Sequence, residues 1–155
     1  MIKVIFVCLG NICRSPMGEA VFRNIICEEG LNEKILVDSA GTSDWHIGEK
    51  PHEGTLKILE KHNISAAGMK ARQYTQADLD KFDYIIAMDQ SNVENMSGIQ
   101  GTESNKVIKL LDLLEDEANK DVPDPFFTGD FDETYRLVIA GCEQLLKRIK
   151  QENNL

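Results

Sequence analysis

Two residues whose types and spacing could do chemistry stand near the start of the chain. Cys8 and Arg14 are separated by five residues in Val7-Cys8-Leu9-Gly10-Asn11-Ile12-Cys13-Arg14-Ser15-Pro16. A thiolate can attack phosphorus, and a guanidinium fork can hold two equatorial oxygens of a phosphoryl group. Ordinary thiols, with pKa near ~8.5, are only about 3 % ionised at neutral pH. Loop amides, a helix N-terminus and a nearby guanidinium bring reactive cysteines to roughly 3.5–7.5. The bland alternative is a buried structural cysteine beside a surface arginine, and the bare spacing leaves the two readings even. Phosphoryl transfer also needs a proton for its leaving group. Asp124, in Val122-Pro123-Asp124-Pro125-Phe126-Phe127, is the candidate acid, although an ordinary Asp-Pro turn accounts for it as well.

The flanking elements favour the chemical reading. Ile2-Lys3-Val4-Ile5-Phe6-Val7 is nearly all β-branched or aromatic and reads as a buried parallel strand. After the loop, Pro16 suits a first helical position, with Ser15 as the expected N-cap. Loop amides backed by a helix N-terminus form a cradle for a dianion, and Gly10 permits an unusual backbone angle there. The first helix is expected from Pro16 to Glu29, ended by Gly30, and a second strand over Lys34–Asp38. Ser39 to Asp44 reads as a loop. Further helices are expected near His52–His62, Gln76–Lys81, Asp89–Met96 and Asp132–Gln151, with strands at Asp83–Ala87 and Lys106–Leu110. This alternation implies an α/β fold: one three-layer domain over 1–155, its four-stranded parallel sheet covered by helices on both faces. Ligands of such sheets bind beyond the carboxyl ends of the strands, where the Cys8 loop must lie. Cys27 and Cys142 fall in helical stripes and are expected to be packing residues.

Composition narrows the function classes. At 155 residues with 42 % hydrophobic content, the chain can bury a core without staples. A net charge of −9 argues against nucleic acid or anionic membrane as partners. The N-terminal apolar run is six residues, with no basic segment before it, and is expected to be neither signal peptide nor membrane span. Cys8, Cys13, Cys27 and Cys142 form no CxxC pair and no zinc spacing, so free thiols in a reducing cytoplasm are expected. His46, His52 and His62 show no metal-ligand spacing and read as surface residues; no metal is expected. A monomer is expected, with weak self-association left open.

Cys8-Leu9-Gly10-Asn11-Ile12-Cys13-Arg14-Ser15 resembles the signature loop of the low-molecular-weight protein tyrosine phosphatases. Asp38-Ser39-Ala40-Gly41-Thr42, Trp45-His46-x-Gly48, Ala71-Arg72-Gln73, Phe82-Asp83-Tyr84-Ile85, Met88-Asp89-x-Ser91-Asn92 and Asp124-Pro125-Phe126-Phe127 follow in the family's order. The resemblance implies a flavodoxin-like, phosphotyrosine phosphatase I-like fold. It also implies cofactor-free hydrolysis of a phosphotyrosine protein or small aryl phosphate through a phosphocysteine. Cys8 would be the nucleophile, Arg14 the phosphoryl clamp and Asp124 the general acid. Leu9, Gly10, Asn11, Ile12 and Cys13 would line the phosphate loop, and Ser15 would donate to the Cys8 sulfur. Asn11 and Ser39 would hold the loop in shape. Trp45, Phe126 and Phe127 would wall the cleft, and Asp89 would brace its Asp124 side, unless it serves as an N-cap.

Two departures from the family pattern stand out. Phe126-Phe127 replaces a tyrosine pair common in the family, so tyrosine phosphorylation there cannot operate. Met69 stands where a histidine is frequent, which leaves the closure of the Asn11–Ser39 network open. Three rivals are disfavoured. Arsenate reductases of this fold relay electrons through further cysteines, and none lies between Cys27 and Cys142. Arginine phosphatases place threonine where this chain has Ile12. A non-catalytic phosphate-binding module would not need both Cys8 and Asp124. The Cys8–Cys13 spacing also raises redox control, with Cys13 capturing an oxidised Cys8; a simple loop-filling role for Cys13 rivals it.

Overall fold

The computed structural model describes residues 1–155. Strand β1 (Ile2–Cys8) lies inside a parallel sheet between β2 (Ile35–Gly41) and β3 (Tyr84–Ala87), and β4 (Val107–Lys109) pairs with β3. The order β2-β1-β3-β4 makes β1 a central strand, and its apolar run is buried on both faces as such a position demands. Alternation divides it: Val4, Phe6 and Cys8 face one core, Ile5 and Val7 the other.

The first core is closed by α1 (Arg14–Glu28), α2 (Glu53–Lys61) and α6 (Phe131–Asn153), through residues such as Met17, Phe22, Leu59, Val138 and Leu145. The second is closed by α3 (Gln76–Lys81) and α4 (Gln90–Gln100), through Leu79, Val93 and Met96, with Phe82 just past the end of α3. This is the expected single three-layer α/β domain. No helix is long and apolar enough to cross a membrane.

Several boundaries differ from expectation, each for a physical reason. Helix α1 begins at Arg14, and no side chain caps it, because Ser15 lies inside the first turn with its hydroxyl engaged elsewhere. Strand β2 continues through Ser39-Ala40-Gly41, residues that read as loop, since pairing with β1 runs on to Cys8↔Gly41. Gly41 is required there: a Cβ would sit 2.8 Å from Leu9 O, so only glycine lets the loop after β1 close against β2. Helix α4 runs four residues past Met96 to Gln100, ended by Gly101 at φ 80°. A 3-10 turn (Leu110–Leu113) follows β4, and a one-turn helix α5 (Pro125–Thr128) follows Asp124, with Pro125 at its first position. Cys142 is buried as expected, but Cys27 is exposed on the outer face of α1.

Candidate active site

The carboxyl end of β1 delivers Cys8 to the sheet edge, and residues 9–13 wrap back to start α1 at Arg14. Cys8 is only 3 % exposed. Its Sγ lies 3.0 Å from Ser15 Oγ and accepts a hydrogen bond from Asn11 N–H at 3.3 Å. The N–H groups of Gly10, Ile12 and Cys13 find no acceptor within the fold. A sulfur therefore sits among converging donors at a helix N-terminus, an arrangement that stabilises negative charge.

Arg14 is 2 % exposed and held by three groups. Nη1 donates to Asp89 Oδ2 at 2.6 Å and to the Val122 carbonyl at 2.9 Å, while Nη2 donates to Asp124 Oδ2 at 3.3 Å. Nε is buried without a partner. Burial alone would pull the guanidinium down, but Cys8, Asp124 and Asp89 outweigh it and hold its pKa above the ordinary arginine value. Asp89 divides its two oxygens between Arg14 and a helix start. Its second oxygen caps α4 by accepting Asn92 N–H at 2.8 Å, and it reaches the Asp124 side only through their shared arginine.

Asp124 caps α5 by accepting Phe126 N–H at 3.1 Å, with its other oxygen on Arg14. It lines a small cavity together with Cys8, Leu9, Gly10, Ile12, Cys13, Trp45, His46, Phe126 and Phe127. The cavity volume is about 50 Å³, far below the groove of about 560 Å³ between α1 and α6, yet only the small one contains the thiol. Trp45 (68 % exposed), Phe126 and Phe127 form an open apolar rim.

Asn11 gathers the loop. It donates through Nδ2 to Ser15 Oγ (2.7 Å) and Ser39 Oγ (3.0 Å), and its Oδ1 accepts from Arg72 N–H (3.0 Å). All the predicted residues thus converge at one sheet edge.

Residues 3–155 match the profile of the low molecular weight phosphotyrosine protein phosphatases. The chain belongs to that family. It is 54 % identical over its whole length to the low molecular weight protein-tyrosine-phosphatase YfkJ of Bacillus subtilis strain 168, covering 100 % of both chains. It is 46 % identical to PtpA of Staphylococcus aureus strain Newman, covering 100 % of this chain and 98 % of that one. The crystal structure of YfkJ superposes with a TM-score of 0.97 at 52 % identity, covering 99 % of this chain and 97 % of YfkJ.

Four participants in this phosphatase fold were not expected from sequence. Glu19 accepts from Ser39 Oγ at 2.6 Å and closes the network beyond Asn11, while Met69 packs against the core. Glu19 follows Ser15 by one helical turn, the only local sign of its role. Val122 contributes a carbonyl, which no side-chain pattern reveals. The Arg72 amide reaches Asn11 from a segment without regular structure. His46 is not a simple surface residue: it lines the cavity, and its Nδ1 lies 2.7 Å from Glu49 Oε2. His52 departs likewise, stacking on Phe131 with centroids 5.1 Å apart, while exposed His62 stacks on Tyr135 at 4.0 Å.

Proposed function

We propose that this chain hydrolyses phosphotyrosine in two displacements at Cys8, acting as a cytoplasmic monomer without a metal or cofactor. The observation that carries the reading is the Cys8 sulfur, held by Ser15 and the Asn11 amide beneath an arginine that also touches Asp124. The phosphoryl dianion docks on the loop amides and on Arg14 Nε and Nη2. Contact with phosphate competes for the Nη2 hydrogens, so Asp124 is released from Arg14 as the substrate seats. The Cys8 thiolate attacks phosphorus and the S–P bond forms as the P–O bond to the phenol breaks; Asp124, having taken a proton from solvent once freed from Arg14, gives that proton to the phenol oxygen. The resulting carboxylate then takes a proton from a water that attacks the phosphocysteine. Ser15 donates to the departing sulfur, and inorganic phosphate leaves.

Aryl preference follows from the walls. Seven of the ten residues lining the cavity are hydrophobic, Ile12 among them, and aromatic rings stand at its mouth. A flat apolar ring gains from such walls, whereas a short phosphoserine arm reaches them poorly and the N–H groups of a phosphoarginine find no acceptor on Leu9, Ile12 or the aromatic rings. Hydrolysis of phosphotyrosine, phosphoserine and phosphoarginine peptides compared side by side tests the preference. Equal or greater kcat/KM on phosphoarginine would overturn it. Cys8→Ser should abolish turnover while leaving the fold and oxyanion binding largely intact, and substantial residual hydrolysis would refute the covalent mechanism.

A further inference from the structure

The shape of the phosphate loop depends on Asn11. Its backbone sits at φ 56°, a left-handed conformation that asparagine tolerates better than most residues. There its N–H meets the Cys8 sulfur. Its carboxamide donates both Nδ2 hydrogens and accepts once at Oδ1. Two of these anchors, Ser15 and Ser39, belong to α1 and β2. The third is the backbone N–H of Arg72, which belongs to no helix or strand, so its place depends on what holds that residue.

Arg72 is held twice over. Its backbone is stitched to the end of β2, with Gly41 N–H donating to Arg72 O at 2.9 Å and Tyr74 N–H donating to Gly41 O at 2.7 Å. Its guanidinium forks onto Asp78 of α3, with Nη1 and Nη2 each 3.0 Å from one carboxylate oxygen. Nη2 and Nε also donate to Asp38 Oδ2, at 2.9 and 3.3 Å, and Asp38 immediately precedes Ser39. Burial pushes the Asp78 carboxyl up, but bonds from Arg72 and Thr75 N–H outweigh it and hold its pKa below the usual range. A bidentate pair of this kind constrains direction as well as distance. None of Asp38, Arg72 and Asp78 lines the cavity.

We infer that Arg72 and Asp78 are positioning residues for the phosphate loop. The Asp38–Arg72–Asp78 triad fixes the Arg72 amide, which fixes Asn11 and, through it, the N–H that faces the Cys8 sulfur. The inference deepens the phosphatase reading, on which its kinetic arm rests. Asp78 also closes the capping box of α3 by accepting Thr75 N–H at 2.8 Å, so a stability loss alone is common to this role and a purely structural one.

Coupling to Asn11 separates the two roles. Asp78→Asn, Asn11→Ala and the double variant are compared with wild type by thermal melting, by inorganic phosphate inhibition, and by the pH profile of Cys8 alkylation with iodoacetate. Asp78→Asn should weaken phosphate about tenfold, the factor for roughly one charge-assisted hydrogen bond, and shift the alkylation midpoint. The double variant should be no weaker than Asn11→Ala alone. Arg72→Lys, which keeps charge but not the fork, should fall between wild type and Asp78→Asn. It stands in for Asp78→Asn, under the same criteria, if that protein does not fold. A folded Asp78→Asn protein with wild-type inhibition and alkylation, or additive effects in the double variant, overturns the inference. If wild type hydrolyses no aryl phosphate, the phosphatase reading falls while alkylation still decides the positioning claim.

Discussion

Replacing Asp89 by asparagine removes one charge and one acceptor from the support of Arg14. In the wild type, two carboxylate oxygens serve two donors at once, Arg14 Nη1 at 2.6 Å and Asn92 N–H at 2.8 Å. An amide has a single acceptor oxygen, so one of those donors must face an NH2 group. If the helix cap is kept, Arg14 Nη1 retains only the Val122 carbonyl at 2.9 Å. A hydrogen bond to a charged group contributes about 1.5–3 kcal/mol, and a lost helix cap about 1 kcal/mol. Asp89→Asn should therefore cost about 1–3 kcal/mol, lowering Tm by about 2–10 °C for a chain of this size. Asp89→Ala leaves a buried cation short of a partner and should cost more, about 3–5 kcal/mol. Scanning calorimetry with and without inorganic phosphate is the direct assay. Phosphate supplies the missing anion, so it should raise Tm and recover part of the loss. Kinetically, a less constrained Arg14 raises KM about tenfold, which corresponds to ~1.4 kcal/mol. If Asp89→Asn melts within about 1 °C of wild type with KM unchanged, the pair does not hold Arg14 and the reasoning fails.

Asp124→Asn should lower kcat far more for poor leaving groups than for activated aryl phosphates, as only the former need the proton; a uniform loss across leaving-group pKa would place the acid elsewhere. Peroxide should inactivate wild type reversibly: Cys8 is oxidised to the sulfenic acid, which condenses with Cys13 with loss of water, and dithiothreitol restores both thiols. Phosphate in the site should protect, and Cys13→Ser should stay active but lose the reversibility, while full recovery of that variant would exclude Cys13 as the resolving thiol. Burial, with Asp124 and Cys8 nearby, pushes the Cys13 thiol up from 9.0 to about 12. Its folded pKa is the higher one, so its contribution to stability is complete below pH ~9 and is lost as pH rises towards ~12. Denaturation midpoints across that window should fall less steeply in Cys13→Ala, and parallel curves would count against it.

The parts of the molecule legible in the sequence were those whose signal is local. A continuous apolar run announced β1, and C-x5-R beside a helix start announced the loop. Where tertiary use overrides local preference, local pattern and structure part. Ser15 looked like a cap, but its hydroxyl serves the Cys8 sulfur, Asn11 and the Ala40 carbonyl. Ser39-Ala40-Gly41 has loop composition, yet a neighbouring strand supplies its ladder. Helix α5 is four residues long, too short to show a helical period. The roles of Glu19 and Arg72 are set by partners 20 and 61 residues away, a separation that no single-sequence pattern encodes.

The chain has a single tryptophan, and it stands at the mouth of the cleft rather than in either core. Red-edge excitation of the protein therefore interrogates one indole, mostly in solvent and in part at the mouth of the cavity that holds Cys8. Because Trp45 is already 68 % exposed, unfolding changes its environment little, and its emission is a poor denaturation probe. A ligand stacked against it does change that environment. Unlabelled protein thus carries its own optical gauge of site occupancy, suited to titrating product and inhibitors in forms that no longer turn over.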